Sequence, residues 1–117
     1  MNDNTTTLEE LRKQLEEFNA ARGWDKDHNF NMLAKSVTVE SSELLNEVVW
    51  MTDEQIDTAL KNDPAFTQRV ELEVVDILYN VVELARILDM DLSATMEKKL
   101  EELETRYPPV STQEHKT

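Results

Sequence analysis

Two acidic pairs, Glu40-x-x-Glu43 and Glu73-x-x-Asp76, interrupt long stretches of apolar periodicity. At a spacing of three, both members of a pair lie on one face of a helix. The second pair stands among Val70, Leu72, Val74, Val75, Ile77, Leu78, Val81 and Val82, side chains expected in a core. An ionised carboxylate removed from water needs a partner of opposite charge or loses its ionisation. A divalent cation is the economical partner. Four oxygen ligands on two facing helices, Glu40, Glu43, Glu73 and Asp76, suit Mg²⁺, with Mn²⁺ as a substitute, and such ions commonly hold substrate phosphates as well as protein carboxylates.

The elements that must bring these pairs together follow from caps and periodicity. Thr7 with Glu10 reads as a capping box opening a first helix that runs to the sole glycine, Gly23, with Leu8, Leu11, Leu15 and Phe18 as its buried stripe. Residues 24–31 break the period and read as a loop. A second helix is expected from Met32 to Met51, turning Leu33, Val37, Leu44 and Val48 inward and carrying Glu40, Glu43 and Glu47 on another face. Thr52 and Gln55 start a short connecting helix, Asp53 to Lys61. Asp63 caps a fourth, with Pro64 in its first turn, that continues without a breaker to Leu88. Apolar around most of its circumference, this helix should be central, and its polar exceptions Glu73, Asp76, Asn80 and Glu83 fall on one stripe. A last helix, Leu92 to Arg106, shows Leu92, Met96, Leu100, Leu103 and Tyr107 on one side before Pro108-Pro109 stops it. The expectation is an all-α bundle of four main helices plus a connector, a single domain over 1–117 with flexible tails at 1–6 and 109–117.

Several of these residues have plainer readings. Glu47, Glu54 and Glu83 suit a solvated helix face, since charged faces are the norm. A lone loop histidine such as His28 is more often a packing or capping residue than a ligand. Trp24 and Trp50 flank the second helix and suit a core plug. Di-iron bundles place Glu-x-x-His on two helices. Neither His28 nor His115 has Glu three residues earlier, so a hard-cation, all-oxygen site is the surviving metal reading.

Composition narrows the function further. With 25 acidic against 12 basic residues the formal net charge is −13, which disfavours a nucleic-acid polymer as partner, because backbone affinity comes from clustered Lys and Arg. A small polyphosphate is still accessible through bridging metal ions. The chain has no cysteine, which removes disulfide, thiolate and Cys-type zinc chemistry. The polar start lacks an apolar signal-like stretch and no run reaches membrane-spanning length. A cytoplasmic protein without a membrane partner is expected.

Taken together, these residues resemble the MazG-like, all-α nucleoside triphosphate pyrophosphohydrolases, in particular the dCTP-pyrophosphatase-like branch. The resemblance runs through Arg22-Gly23-Trp24, His28, Leu33-Ala34-Lys35-Ser36, Val39-Glu40-Ser41-Ser42-Glu43-Leu44-Leu45 and Trp50. It continues through Glu71-Leu72-Glu73-Val74-Val75-Asp76-Ile77-Leu78-Tyr79, Met90-Asp91-Leu92, Lys99-Leu100 and Arg106-Tyr107-Pro108. It implies hydrolysis of a nucleoside triphosphate between the α and β phosphates, to the monophosphate and pyrophosphate, with Mg²⁺ held by Glu40, Glu43, Glu73 and Asp76. It also implies that Trp24 and Trp50 wall the base, that Lys35, Lys99 and Arg106 meet phosphates, and that His28, Tyr79 and Asn80 line the substrate. Assembly as a homodimer or homotetramer is implied too. The chain departs from relatives at Met32, at Leu103, at Leu15 and in the order Tyr79-Asn80.

Such a reaction needs a water aimed at the α-phosphorus and neutralisation of the leaving pyrophosphate. Glu43 and Glu47 are the candidates to take the water's proton. The rivals are a dUTPase-type pyrophosphatase using the same metal motif and a non-catalytic helical module docking its acidic face on a basic partner.

Overall fold

The structure, a computed structural model, describes residues 1–110; residues 111–117, which include His115 and most of the expected C-terminal tail, lie outside that range. Five α-helices follow one another, with no strand among the described residues: α1 (Leu8–Ala21), α2 (Phe30–Val48), α3 (Asp53–Asn62), α4 (Pro64–Ile87) and α5 (Leu92–Arg106), with a single 3₁₀ turn at Trp24–Lys26. The all-α expectation therefore holds, and no helix among the described residues is long and apolar enough to cross a membrane.

Local chemistry sets most of the boundaries. The Thr7 hydroxyl accepts from the Glu10 amide, Thr52 and Gln55 form a reciprocal capping box, and Asp63 accepts from the Phe66 amide ahead of a Pro64 start. Each satisfies an amide that the helix itself leaves unpaired. Gly23 takes φ +70°, a left-handed value that suits glycine and turns the chain out of α1. The one boundary misplaced by more than a residue or so at its start is α2. It begins at Phe30 because the Asn29 side chain accepts from the Met32 amide, so part of the expected loop is helix. Its regular span also ends at Val48, with Val49 as C-cap, short of the expected Met51. The first six residues form a small turn, with the Thr5 and Thr6 amides donating to the Asn2 carbonyl.

The central position of α4 is confirmed: it packs most extensively on α2, then on α3 and α1. The two long helices run antiparallel, since Arg69 of α4 meets Glu47 of α2 while the later α4 residues Glu73 and Asp76 meet the earlier Glu40. The fully buried apolar core is small: Leu33, Phe66, Val82 and Ala85. The expected apolar surroundings of the second acidic pair are only partly realised, because Leu72, Val74, Val75 and Leu78 are exposed on the isolated chain. On α1, Leu8 and Phe18 are likewise exposed, while Leu11 and Leu15 are half-buried. The apolar side of α5 is open too, with Met96 and Leu100 more than half exposed at 59% and 56%. These faces are apolar by sequence, and no element among the described residues covers them.

With so small a core, each buried side chain carries a large share of stability. Replacing Leu33 by Ala should cost about 2–5 kcal/mol in urea unfolding, the range for a large-to-small change at a closed site. Exposed Leu45, changed in the same way, should cost far less in the single chain.

Candidate metal and nucleotide site

The seam between α2 and α4 is where the acidic stripes meet. One carboxylate oxygen each from Glu40, Glu73 and Asp76 lies within 4.8 Å of the others. Glu40 and Glu73 are half-buried and Asp76 is exposed, so the group opens outward from the seam. Glu73 Oε2 is buried and has no hydrogen-bond partner among the described residues. Desolvation pushes the Glu73 carboxyl above the ordinary carboxylate range, with Asp76, then Glu43, Glu40 and Glu47 adding repulsion in the same direction. Clustered anions with a buried, unpartnered oxygen lack one thing, a positive charge, and hard oxygen donors match Mg²⁺ or Mn²⁺. The residues present therefore fit a divalent ion. Glu43, the fourth expected ligand, stays outside the 4.8 Å group and acts on Glu73 through its charge.

The other acidic residues divide. Glu47 is ion-paired with Arg69, Nε to Oε2 at 3.3 Å, while Glu43 pairs with no cation among the described residues. Glu54 is exposed on α3, as a solvated face requires. Glu83 corrects the solvated-face expectation outright: it is 0% exposed. Its Oε2 accepts from Arg86 Nη2 at 3.1 Å and lies 3.2 Å from His28 Nδ1.

The expected substrate residues are also sorted. Trp24 and Trp50 are not core plugs: Trp24 is 45% exposed and Trp50 91%. Trp24 meets Phe18 edge to face at 5.7 Å, and Arg22 lies over the opposite partner of that contact, 3.6 Å from the Phe18 ring centre. His28 is held by Glu83 and meets the Tyr79 ring edge-on. The Tyr79 hydroxyl donates to Asn19 Oδ1, and burial pushes the phenol upward. Asn80 is buried and spends its side-chain amide on the Asp76 carbonyl, which fixes the backbone beneath the acidic cluster. Lys35 is exposed on α2. Lys99 and Arg106 both pair with Glu102 on α5, a helix that packs on the rest of the chain far less than α2 or α4 does.

Three participants were missed from sequence: Asn19, Arg69 and Arg86. Asn19 had a signal, because it falls four residues after Leu15 on the apolar stripe of α1, where a polar residue requires a partner. Arg86 had one too, three residues after Glu83. Arg69 had none, since its partner is 22 residues away.

An all-helical chain whose carboxylates converge from two antiparallel helices is similar, both in sequence and in structure, to known pyrophosphatases. The chain is 30% identical over 102 residues to dCTP pyrophosphatase 1 of Bos taurus and 28% identical to that of Rattus norvegicus, each alignment covering 87% of this chain. It spans about 60% of the length of these curated relatives. Among solved structures it is similar to a pyrophosphatase from Archaeoglobus fulgidus, with a TM-score of 0.80 and 28% identity over 93% of this chain and 99% of that one. No family model matches the chain.

The electrostatics give a signed expectation. A carboxyl whose folded pKa is raised holds its proton more tightly in the native state, so its contribution favours folding below the ordinary value near 4.5 and is lost as pH rises through the raised value. Glu73→Gln should accordingly raise the Tm of metal-free protein at pH 7 and flatten its decline above pH 4.5. The same variant should lose the rise in Tm expected on adding Mg²⁺, which corresponds to a stabilisation of about 2.7 kcal/mol at a hundredfold excess over Kd. Differential scanning fluorimetry with and without EDTA measures both.

Proposed function

We propose that the chain is a Mg²⁺-dependent nucleoside triphosphate pyrophosphohydrolase that cleaves a deoxynucleoside or nucleoside triphosphate to its monophosphate and pyrophosphate, with dCTP-like substrates and a role in clearing the nucleotide pool. The observation carrying this is the convergence of Glu40, Glu73 and Asp76, with Glu73 Oε2 buried and unpartnered. The names of the similar proteins, dCTP pyrophosphatase 1 and a pyrophosphatase, support it.

Glu40, Glu73 and Asp76 would hold the divalent ion, with the Glu43 carboxylate adding negative charge beside them. When bound, that ion supplies Lewis-acid polarisation and charge neutralisation for the phosphates. Glu43 accepts the proton of the attacking water, because it pairs with no cation among the described residues, whereas Glu47 is engaged by Arg69. Asn80 keeps Asp76 oriented through the backbone. Exposed Trp24 and Trp50 offer flat surfaces for stacking a base, with His28 and Tyr79 on the α1 side. Lys35, Lys99 and Arg106 supply cations for phosphate. Lys99 and Arg106 stand on α5, so a second copy of the chain is a natural setting for their contribution. The uncovered apolar faces of α4 and α5 support a homodimer or homotetramer. A cytoplasmic setting, without membrane or nucleic-acid partners, accompanies the reading.

A panel of deoxynucleoside and nucleoside triphosphates assayed with Mg²⁺ for pyrophosphate release tests the proposal. The expected outcome is pyrophosphate and monophosphate in equal amounts, fastest with dCTP and abolished by EDTA. Preference for dUTP would move the chain to the dUTPase type, and no release from any substrate would leave the acidic docking module. Asp76→Asn should lower kcat by about 10²–10³-fold, as expected when a group stabilising the transition state is lost, with far-UV circular dichroism unchanged.

A further inference from the structure

Glu83 is the one fully buried acid of the described residues, and the reaction proposed above gives it no task. A carboxylate taken entirely out of water costs several kcal/mol unless paired, and an apolar side chain of similar volume is commonly as stable or more so. Its presence in so small a core therefore calls for a role other than stability. The partners indicate one. His28 closes the Trp24–Lys26 turn, and its Nδ1 sits 3.2 Å from Glu83 Oε2, a contact between residues 55 apart in sequence. Arg86, three residues along α4, approaches the same oxygen through Nε at 3.3 Å and Nη2 at 3.1 Å. Beside this pair the His28 ring meets Tyr79 edge-on, and Tyr79 binds the buried Asn19 of α1. The turn bearing Trp24 is thus fastened to α4 at the side-chain level by Glu83 and His28.

The placement along α4 adds a second observation. Glu73, Asp76, Asn80 and Glu83 share one stripe, and at 1.5 Å per residue Glu83 lies about 10 Å beyond Asp76. That interval is on the order of the separation between the phosphates and the base of an extended nucleotide. A cavity of ≈ 180 Å³ is lined by Glu83 and Arg86 of α4, Asn19 of α1 and Asp25 of the turn, so the three elements do not close tightly on one another around this ion pair.

We propose that Glu83 is a positioning residue for nucleotide binding: by holding His28 it fixes the Trp24–His28 turn as one wall of the nucleotide site, at a set distance from the carboxylate cluster. This rests on the pyrophosphohydrolase reading for its ligand, but the fastening itself does not.

Glu83→Leu, close in volume and unable to bond His28, tests it in the full chain, alongside Glu83→Gln as the conservative variant. In a Trp50→Phe background, acrylamide quenching of the remaining Trp24 reports the order of the turn without any nucleotide. The expected result is greater quenching in Glu83→Leu, near-normal quenching in Glu83→Gln, and unchanged far-UV circular dichroism. With Trp50 intact and dCTP plus Mg²⁺, KM should rise about tenfold in Glu83→Leu with kcat within about twofold, the pattern of lost uniform binding. If Glu83→Leu does not fold, His28→Gln breaks the same contact from the turn and should give the same loosening of Trp24. Unchanged quenching overturns the proposal, as does a fall in kcat at constant KM. Should the unaltered chain release no pyrophosphate from any triphosphate, the enzymatic reading fails and the nucleotide role falls with it, while the quenching result still decides whether Glu83 fastens the turn.

Discussion

The repulsion among carboxylates at the seam of α2 and α4 is the constraint on which the rest of the structure turns. Glu73 is raised by desolvation and by four neighbouring acids, and one of its oxygens is buried without a donor. A helix pair optimised for packing alone would place apolar residues there, since an unpaired buried charge is among the most costly features a core can hold. The antiparallel register that brings Glu40 opposite Glu73 and Asp76 also brings Glu47 opposite Arg69 and the chain before α2 opposite Glu83. One helix face of α4 thus carries a cluster of like charge in its middle and compensated charges at each end.

That contrast explains the division of labour. Glu47 and Glu83 are each matched to an arginine, and Glu83 also to a histidine. Glu40, Glu73 and Asp76 have no such partner among the described residues. A matched charge holds structure together, while an unmatched cluster is poised to take a cation. The small core and the exposed apolar surfaces of α4 and α5 fit the same picture, in that the single chain presents a site and the surfaces around it without closing over them.

Much of this was legible from the residues themselves. Side-chain caps at Thr7, Thr52 and Asp63 are local chemistry, and the starts of α1, α3 and α4 follow from them directly. The acidic pairs could be placed on helix faces because a spacing of three is a statement about one helix. What could not be read was which face meets which neighbour. Glu83 looked like a solvated acid because its stripe continues the polar one, and only the approach of His28 from a distant turn makes it a buried ion pair. Leu72, Val74 and Val75 looked like core because they are apolar, yet hydrophobicity does not say whether the covering surface comes from the same chain. The core-plug reading of Trp24 and Trp50 fails on the same ground, since both rings are exposed on the chain. The start of α2 lies earlier than its apolar period because Asn29, whose type also suits a loop, caps the helix with its side chain.

If the seam carboxylates bind a divalent cation, anomalous scattering from crystals of the protein soaked in Mn²⁺ will reveal it. The expected result is a peak in the anomalous difference map among the carboxylate oxygens of Glu40, Glu73 and Asp76, within about 2.0–2.6 Å of them, the range for hard divalent ions on oxygen. A map with no peak at the seam, with those oxygens bonded to water or to a lysine or arginine of another chain, would contradict it.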